Sequence, residues 1–317
     1  MIHYNYLMNN TFENLIQMEM KDVAEAFITP ITPYFICNHF ISTEIHPIGG
    51  IRYINYKLDI EANDLLKNEN YSDIKNLDII QIQVIHFNFF YEKVLPIIVE
   101  KNIKVIIITS QEHLPQIHKN DKTDLILNNN HILLWISQNP IYTKHKKYMA
   151  FPYGIHQHSI KNYINFVKKN DNNSKKNNKI INQYSSVHPH LPSNHIKRVY
   201  DIFGINSGTR LNYNDYLKNI SNSEYIISTS GDRDDCYRHY ECIGLNSIPV
   251  SNIGGAYQDI FEENMIYSNA KDMINMIQNN VVNRSYKSPN RDILTIFYWV
   301  KKINEKIDEL INENDKT

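Results

Sequence analysis

The chain has 317 residues, 33 Lys+Arg against 34 Asp+Glu for a formal net charge of −1, and 42% hydrophobic residues. That apolar content excludes global disorder, and the length allows one large domain or two of ordinary size. The balanced charge argues against a broad basic face for nucleic acid. Cys37, Cys236 and Cys242 are the only cysteines, an odd and sparse set that fits a reducing compartment better than a disulfide framework. The longest apolar run, around Val105–Thr109, is far short of the roughly 20 residues a bilayer requires. The N-terminus shows no basic region followed by an apolar one. Neither a transmembrane segment nor a signal peptide is therefore expected, and a cytoplasmic or virion-associated setting is the simplest one.

In chain order, Asp78–Phe87 (DIIQIQVIHF) combines β-branched residues with partial alternation and predicts a strand. Phe89–Asn102 has helical spacing, with Pro96 imposing a kink or a late start. Lys104–Thr109 (KVIIIT), His131–Ile136 (HILLWI) and Met149–Phe151 are short apolar runs of the kind buried in parallel sheets. Strand, helix, strand with short connections predicts a parallel sheet covered by helices. Phe166–Lys179 (FVKKNDNNSKKNNK) is almost devoid of apolar residues. It predicts a linker or flexible loop over 166–179, between an N-terminal domain at 1–165 and a C-terminal domain at 180–290.

The second half repeats the pattern. Lys179–Tyr184, Tyr225–Thr229, Ile248–Ser251 and Met265–Tyr267 predict strands. Ser193–Phe203, Asp235–Leu245 and Ala270–Gln278 predict helices, the first capped by Ser193. From Arg291 onward, apolar residues recur every three or four positions, which predicts a C-terminal amphipathic helix over 291–317. The fold class that follows is α/β.

The informative stretch is Tyr225–Asn252, YIISTSGDRDDCYRHYECIGLNSIPVSN. It reads as strand, small-residue turn, helix, strand. Ser230-Gly231 ends the strand with a residue that tolerates any backbone angle. Asp232, Asp234 and Asp235 suit the positive end of the following helix. Arg238 falls in its first turns, and Glu241, three residues on, projects from the same side. In a parallel sheet such a turn lies at the carboxyl edge, where ligands bind. A helix N-terminus favours phosphate, an Arg can add a bidentate contact to a diphosphate, and a Glu one turn deeper can accept from the two hydroxyls of a ribose. An ordinary helix-surface ion pair would show the same spacing.

Gly231–Val250 resembles the donor-binding segment of exostosin-like glycosyltransferases. Their pattern is roughly S-x-x-G, a few residues, D-C-x-R-x-x-E, a helix and G-x-I-P-V. The chain carries Ser228, Gly231, Asp235, Cys236, Arg238, Glu241 and Ile248-Pro249-Val250, with Asn246-Ser247 where the family usually has a Gly. Gln138-Asn139-Pro140 and Pro152-Tyr153-Gly154 also match, and the similarity covers about Asp78–Ser268. The resemblance implies a GT-B architecture, two Rossmann-like domains facing across a cleft, with the last helix crossing back to the first domain. It implies a UDP- or GDP-linked nucleotide sugar as substrate, no cofactor, no metal, and a glycan or glycoprotein acceptor. On the donor side it implies Arg238 at the diphosphate, Glu241 at the ribose, and Ser230, Gly231, Asp235 and Tyr237 along the turn. Arg198, on the first helix after the linker, is a further phosphate candidate. For the base that deprotonates the acceptor, the candidates are Glu112 and His113 after the KVIIIT strand and His86 at the end of IIQIQVIH.

Other readings stand beside this one. Asp232-Arg233-Asp234 spells D-x-D, which in metal-dependent GT-A enzymes holds a divalent cation. A GT-B-like protein without its base would bind a nucleotide or sugar and not turn over. His156-x-His158 and His188-x-His190 lack carboxylate or Cys partners at zinc-ligand spacing. No Gly-X-Ser-X-Gly elbow, Gly-X-Gly-X-X-Gly turn or P-loop occurs.

Overall fold

A computed structural model describes residues 11–18, 26–42, 71–110, 116–170, 176–183, 195–205, 210–231 and 233–314. The architecture is α/β, with two all-parallel sheets and intervening helices in a Rossmann-like arrangement. The chain forms two compact units. Unit 1 holds the described residues of Asp22–Tyr153 and Thr295–Thr317, and unit 2 those of Thr11–Lys21 and Gly154–Leu294. The short helix α1 (Phe12–Gln17) therefore belongs to unit 2.

Unit 1 contains helix α2 (Thr32–Ile36) and five strands. These are β1 (His39–Ile41), β2 (Ile79–Gln83), β3 (Val105–Ser110), β4 (Ile132–Ser137) and β5 (Tyr148–Ala150), which lie side by side in chain order. Every residue of β2, β3 and β4 is buried, which is why these segments read as near-continuous apolar runs. β2 is shorter than the predicted strand. Its pairing with β3 ends at Gln83 opposite Ser110, and Val84–His86 turns into a 3-10 segment with Ile85 exposed. The following helical stretch accommodates Pro96 through a π-turn, Phe90–Val94, before α3 (Leu95–Glu100). A wider turn is a way to absorb the hydrogen bond that proline cannot donate. Helix α4 (Asp121–Asn128) is closed at its start by a capping box between Asn120 and Thr123.

Unit 2 opens with α5 (Ile160–Asn170). Its buried residues Ile160, Tyr163, Ile164 and Val167 fall at i, i+3, i+4 and i+7, one face of a helix. Phe166–Asn170 is thus the end of this helix and not part of a linker, and Asn178–Lys179 already opens β6. The boundary between units falls after Tyr153. The second sheet is β6 (Asn178–Asn182), β7 (Ser223–Ile227), β8 (Ile248–Ser251) and β9 (Ile266–Tyr267), again parallel and in chain order. Around it lie α6 (Ile196–Ile202), α7 (Tyr213–Ser221), α8 (Tyr237–Gly244) and α9 (Ala270–Asn279). The predicted start of α6 at Ser193 lies outside the described residues, and His195 is its N-cap. The helix expected from Arg291 divides. Arg291–Leu294 is a 3-10 turn of unit 2, whereas α10 (Ile296–Asn314) belongs to unit 1 and packs on β4. Among the described residues no helix is long and apolar enough to cross a membrane.

Two positions after the functional stretch have sharp steric requirements. A Cβ at Gly244 would lie 2.0 Å from the Tyr163 hydroxyl and 2.8 Å from Leu294 Cδ1. Asn246, which stands where a Gly was expected, adopts φ +55°. Asn is the residue after Gly best suited to that left-handed position. Gly244→Ala is expected to lower unfolding free energy by about 1–3 kcal/mol. Asn246→Val should cost about 1–2 kcal/mol, whereas Asn246→Gly should be near neutral. Urea unfolding of the three variants checks this, and an unchanged midpoint for Gly244→Ala would contradict the packing described.

Candidate functional site

The site is built at the carboxyl edge of the second sheet. Pairing of β7 with β8 continues one residue past the strand, where the Ser228 N–H donates to the Val250 carbonyl at 2.9 Å. Just beyond β8, Asn252 holds the next turn: its Oδ1 accepts the Ser230 N–H at 3.0 Å and its Nδ2 donates to Ser230 Oγ at 2.9 Å. Ser230 is thereby engaged in fixing the two loops to each other. Gly231 differs from expectation. Its φ is not in the left-handed region, and a Cβ there would meet the Arg233 carbonyl at 3.6 Å and Lys197 Nζ at 3.9 Å, ordinary contact distances. Neither angle nor space demands glycine.

Lys197 is a cation that reaches this turn: its Nζ would lie 3.9 Å from a Cβ at Gly231. His195, the N-cap of α6, accepts the Lys197 N–H on Nδ1 at 3.3 Å and donates from Nε2 to the Gly231 carbonyl at 3.2 Å. Arg198 projects about 100° further around the same helix.

Helix α8 is capped by Cys236, not by an aspartate. His239 supports the cap from the third helical position, where its Nδ1 accepts the Cys236 N–H at 3.1 Å. Its Nε2 donates to the Ser228 carbonyl at 2.8 Å and lies 3.1 Å from Ser251 Oγ. This fully buried ring therefore joins the helix start to both strand ends. Asp235 is also interior, at 1% exposure; its Oδ2 accepts the Tyr240 hydroxyl at 2.7 Å and Arg233 Nε stands 3.8 Å from Oδ1. It fastens the turn to the helix from inside. Asp234 is exposed, and Asp232 lies outside the described residues. Tyr237, half-buried, meets the His156 ring edge-on at 4.6 Å.

Arg238 and Glu241 come together through a third residue. Glu241 is 5% exposed, and its two oxygens accept from two phenols: Oε1 from Tyr213 at 2.8 Å and Oε2 from Tyr216 at 2.7 Å. Tyr216 also accepts from Arg238 Nε at 3.3 Å, and its ring lies 5.6 Å beneath the guanidinium. The two tyrosine rings stack at 6.0 Å. Burial pushes the Glu241 carboxyl above its ordinary value, against the opposing hydrogen bonds from Tyr216 and Tyr213 and the charge of Arg238. The Tyr216 phenol is raised well above its ordinary value, by burial first and then by the Glu241 charge. For Arg238, burial disfavours the charge, but Tyr216 and Cys236 outweigh it and the net direction is upward. The cluster thus joins the Arg238 guanidinium to the Glu241 carboxyl through a shared hydroxyl.

Tyr213 and Tyr216 lie on α7, outside the motif that singles out Arg238 and Glu241. The signals of that helix are present: Asn212 as N-cap, accepting from the Asp215 N–H, and Tyr213, Tyr216, Leu217 and Ile220 at i, i+3, i+4 and i+7.

The base candidates are placed as follows. Glu112 and His113 lie outside the described residues. His86 is half-buried in unit 1 and ends the 3-10 turn after β2, not the strand itself. His156 accepts the His158 N–H at 3.2 Å, a local turn contact, and His188 and His190 lie outside the described residues. No group of three or more His, Cys, Asp or Glu gathers as a metal site among the described residues. Compared with models of known protein families and with curated proteins, the chain matches none.

The cap of α8 separates residues that tolerate change from those that do not. Cys236→Ser should stay within about 1 kcal/mol of the parent, since serine is a preferred N-cap. His239→Ala leaves the Cys236 N–H and Ser228 carbonyl buried without it and should cost about 2–4 kcal/mol. Thermal and urea unfolding distinguish the two, and equal stability of both variants would remove His239 from this role.

Proposed function

We propose that the chain is a glycosyltransferase that moves a sugar from a nucleoside-diphosphate sugar to a hydroxyl of a glycan or glycoprotein. The observation that carries the reading is the position of Arg238 on the first turn of α8, the helix that follows β7 at the carboxyl edge of a parallel sheet. That edge is where parallel α/β sheets take ligands. A guanidinium at a helix N-terminus suits a diphosphate. Lys197, beside the Gly231 turn, supplies a second cation. On this reading unit 2 holds the UDP- or GDP-linked donor, with Arg238 at the diphosphate.

In an inverting transfer the acceptor oxygen attacks the anomeric carbon as the bond from that carbon to the β-phosphate oxygen breaks. The hydroxyl proton passes to a base, for which Glu112 or His113, just beyond β3, is proposed. The nucleoside diphosphate leaves with the bonding electrons, and the charge that develops on it is met by Arg238 and Lys197. The reading is metal-independent; of the alternative D-x-D pair, Asp234 is exposed and Asp232 lies outside the described residues.

Arg238→Ala should lower affinity for UDP or GDP by at least about tenfold, and Lys197→Ala by a smaller factor, with folding retained. Calorimetry with both nucleotides checks this. Sugar transfer, assayed with a panel of UDP- and GDP-sugars, should survive EDTA. Nucleotide affinity unchanged in both variants would end the assignment.

A further inference from the structure

The chain of contacts Glu241–Tyr216–Arg238 points to a division of labour within the proposed donor site, and the inference rests on that reading. We propose that Tyr216 is a positioning residue for Arg238, and that Glu241 acts on the nucleotide through Tyr216 by orienting the guanidinium rather than by touching the ribose.

Three observations lead there. Glu241 is 5% exposed, so little of the carboxylate is within reach of a ligand hydroxyl. Each of its oxygens already accepts one phenolic O–H. Tyr216, half-buried, donates to Glu241 and turns an oxygen lone pair toward Arg238 Nε. A phenol has one proton to donate. With that proton committed to Glu241, the hydroxyl can only accept from Arg238, which fixes the direction of the whole chain. The ring stacked under the guanidinium limits its rotation in the other plane. The Nε edge of Arg238 is thereby held inward. In the proposed donor site it is the guanidinium so held that meets the diphosphate. Tyr213 completes the support by holding the other carboxylate oxygen, so that Glu241 cannot swing away from Tyr216.

The test uses the full chain and calorimetric titration with three probes: whichever of UDP or GDP binds the parent more tightly, its 2′-deoxy analogue, and inorganic pyrophosphate. Tyr216→Phe keeps the ring and removes the hydroxyl. It should lower affinity for all three probes by about tenfold, the scale of a hydrogen bond to a charged group; because it also takes one hydrogen bond from the buried Glu241, binding is measured at a temperature where circular dichroism shows the variant fully folded. Glu241→Gln should lower the same three affinities together and leave the ratio of ribo- to deoxynucleotide affinity unchanged. Combining Tyr216→Phe with Arg238→Lys should be no worse than Arg238→Lys alone, a coupling that a merely structural tyrosine would not show. If Glu241→Gln selectively removes a preference for the ribonucleotide, or if Tyr216→Phe binds all three probes like the parent, the inference is overturned while the donor-site reading stands. If the parent binds no nucleoside diphosphate, the underlying reading fails and this inference fails with it.

Discussion

A carboxylate taken out of water is tolerated only where hydrogen bonds replace the lost hydration. In unit 2 that condition is met at Glu241, and much of the local structure follows from meeting it. Its side chain draws Tyr213 and Tyr216 of α7 onto α8. Its backbone carbonyl accepts the Tyr163 hydroxyl of α5 at 3.0 Å. One residue therefore joins three helices. The approach of α5 is possible only because Gly244, three residues on, leaves room for the Tyr163 ring. The far ends of the same helices are held by a single ammonium: Lys176 Nζ donates to the Ser221 carbonyl at the end of α7 and to the Leu245 carbonyl just past α8, at 2.7 and 2.8 Å. A cation at two helix C-termini is well placed against their dipoles.

Most side chains of the D-C-Y-R-H-Y-E stretch are engaged in the local fold. Asp235 and Tyr240 bond to each other across the first turn. Cys236 ends the loop, and His239 fastens it to both strand ends. Those side chains fix where the helix begins and how it is rotated. Rotation decides the rest, since Arg238 and Glu241 lie on the face that meets α7. A cation presented to a diphosphate is only as useful as its placement, and an error near 1 Å is costly. On the proposed reading, the polar side chains around this short helix are largely a framework for a single guanidinium.

The sheets were legible in the sequence because parallel strands buried on both faces leave uninterrupted apolar runs. KVIIIT and HILLWI fall within a residue of β3 and β4. IIQIQVIH reads longer than β2 because composition does not record where the partner strand stops. The helices were less legible where polarity hid their spacing. Ile160, Tyr163, Ile164 and Val167 share a face, but the lysines and asparagines from Lys168 onward made the segment resemble a linker. Within the site, Arg238 and Glu241 could be singled out by type and spacing alone. Their connection through Tyr216 could not, since it links positions 22 and 25 residues apart and depends on how α7 packs. Lys197 and Arg198 are adjacent basic residues, and only the register of α6 decides which one reaches the Gly231 turn.

The two carboxyl edges, each taken within its own unit, use polar side chains in opposite ways. Among the described residues of unit 1 most pair with one another, although Gln81 Oε1 is buried without a hydrogen-bond partner. Ser42 donates to Gln83 at 3.1 Å, Gln81 to Ser110 at 2.9 Å, and Thr109 to Ser137 at 2.9 Å while accepting from Trp135 Nε1 at 3.0 Å. Asn139 accepts the Ile117 N–H at 2.7 Å, and Gln138 donates to the Pro152 carbonyl at 3.2 Å. These groups are neutral, buried and paired in a ladder that closes the strand ends. In unit 2 neutral pairs such as Ser230–Asn252 do the same closing work, but cations stand beside them: Lys197 at the turn and Arg238 on the first turn of the helix. A neutral ladder has no preference for an anion, whereas cations held by a rigid frame at a helix start do.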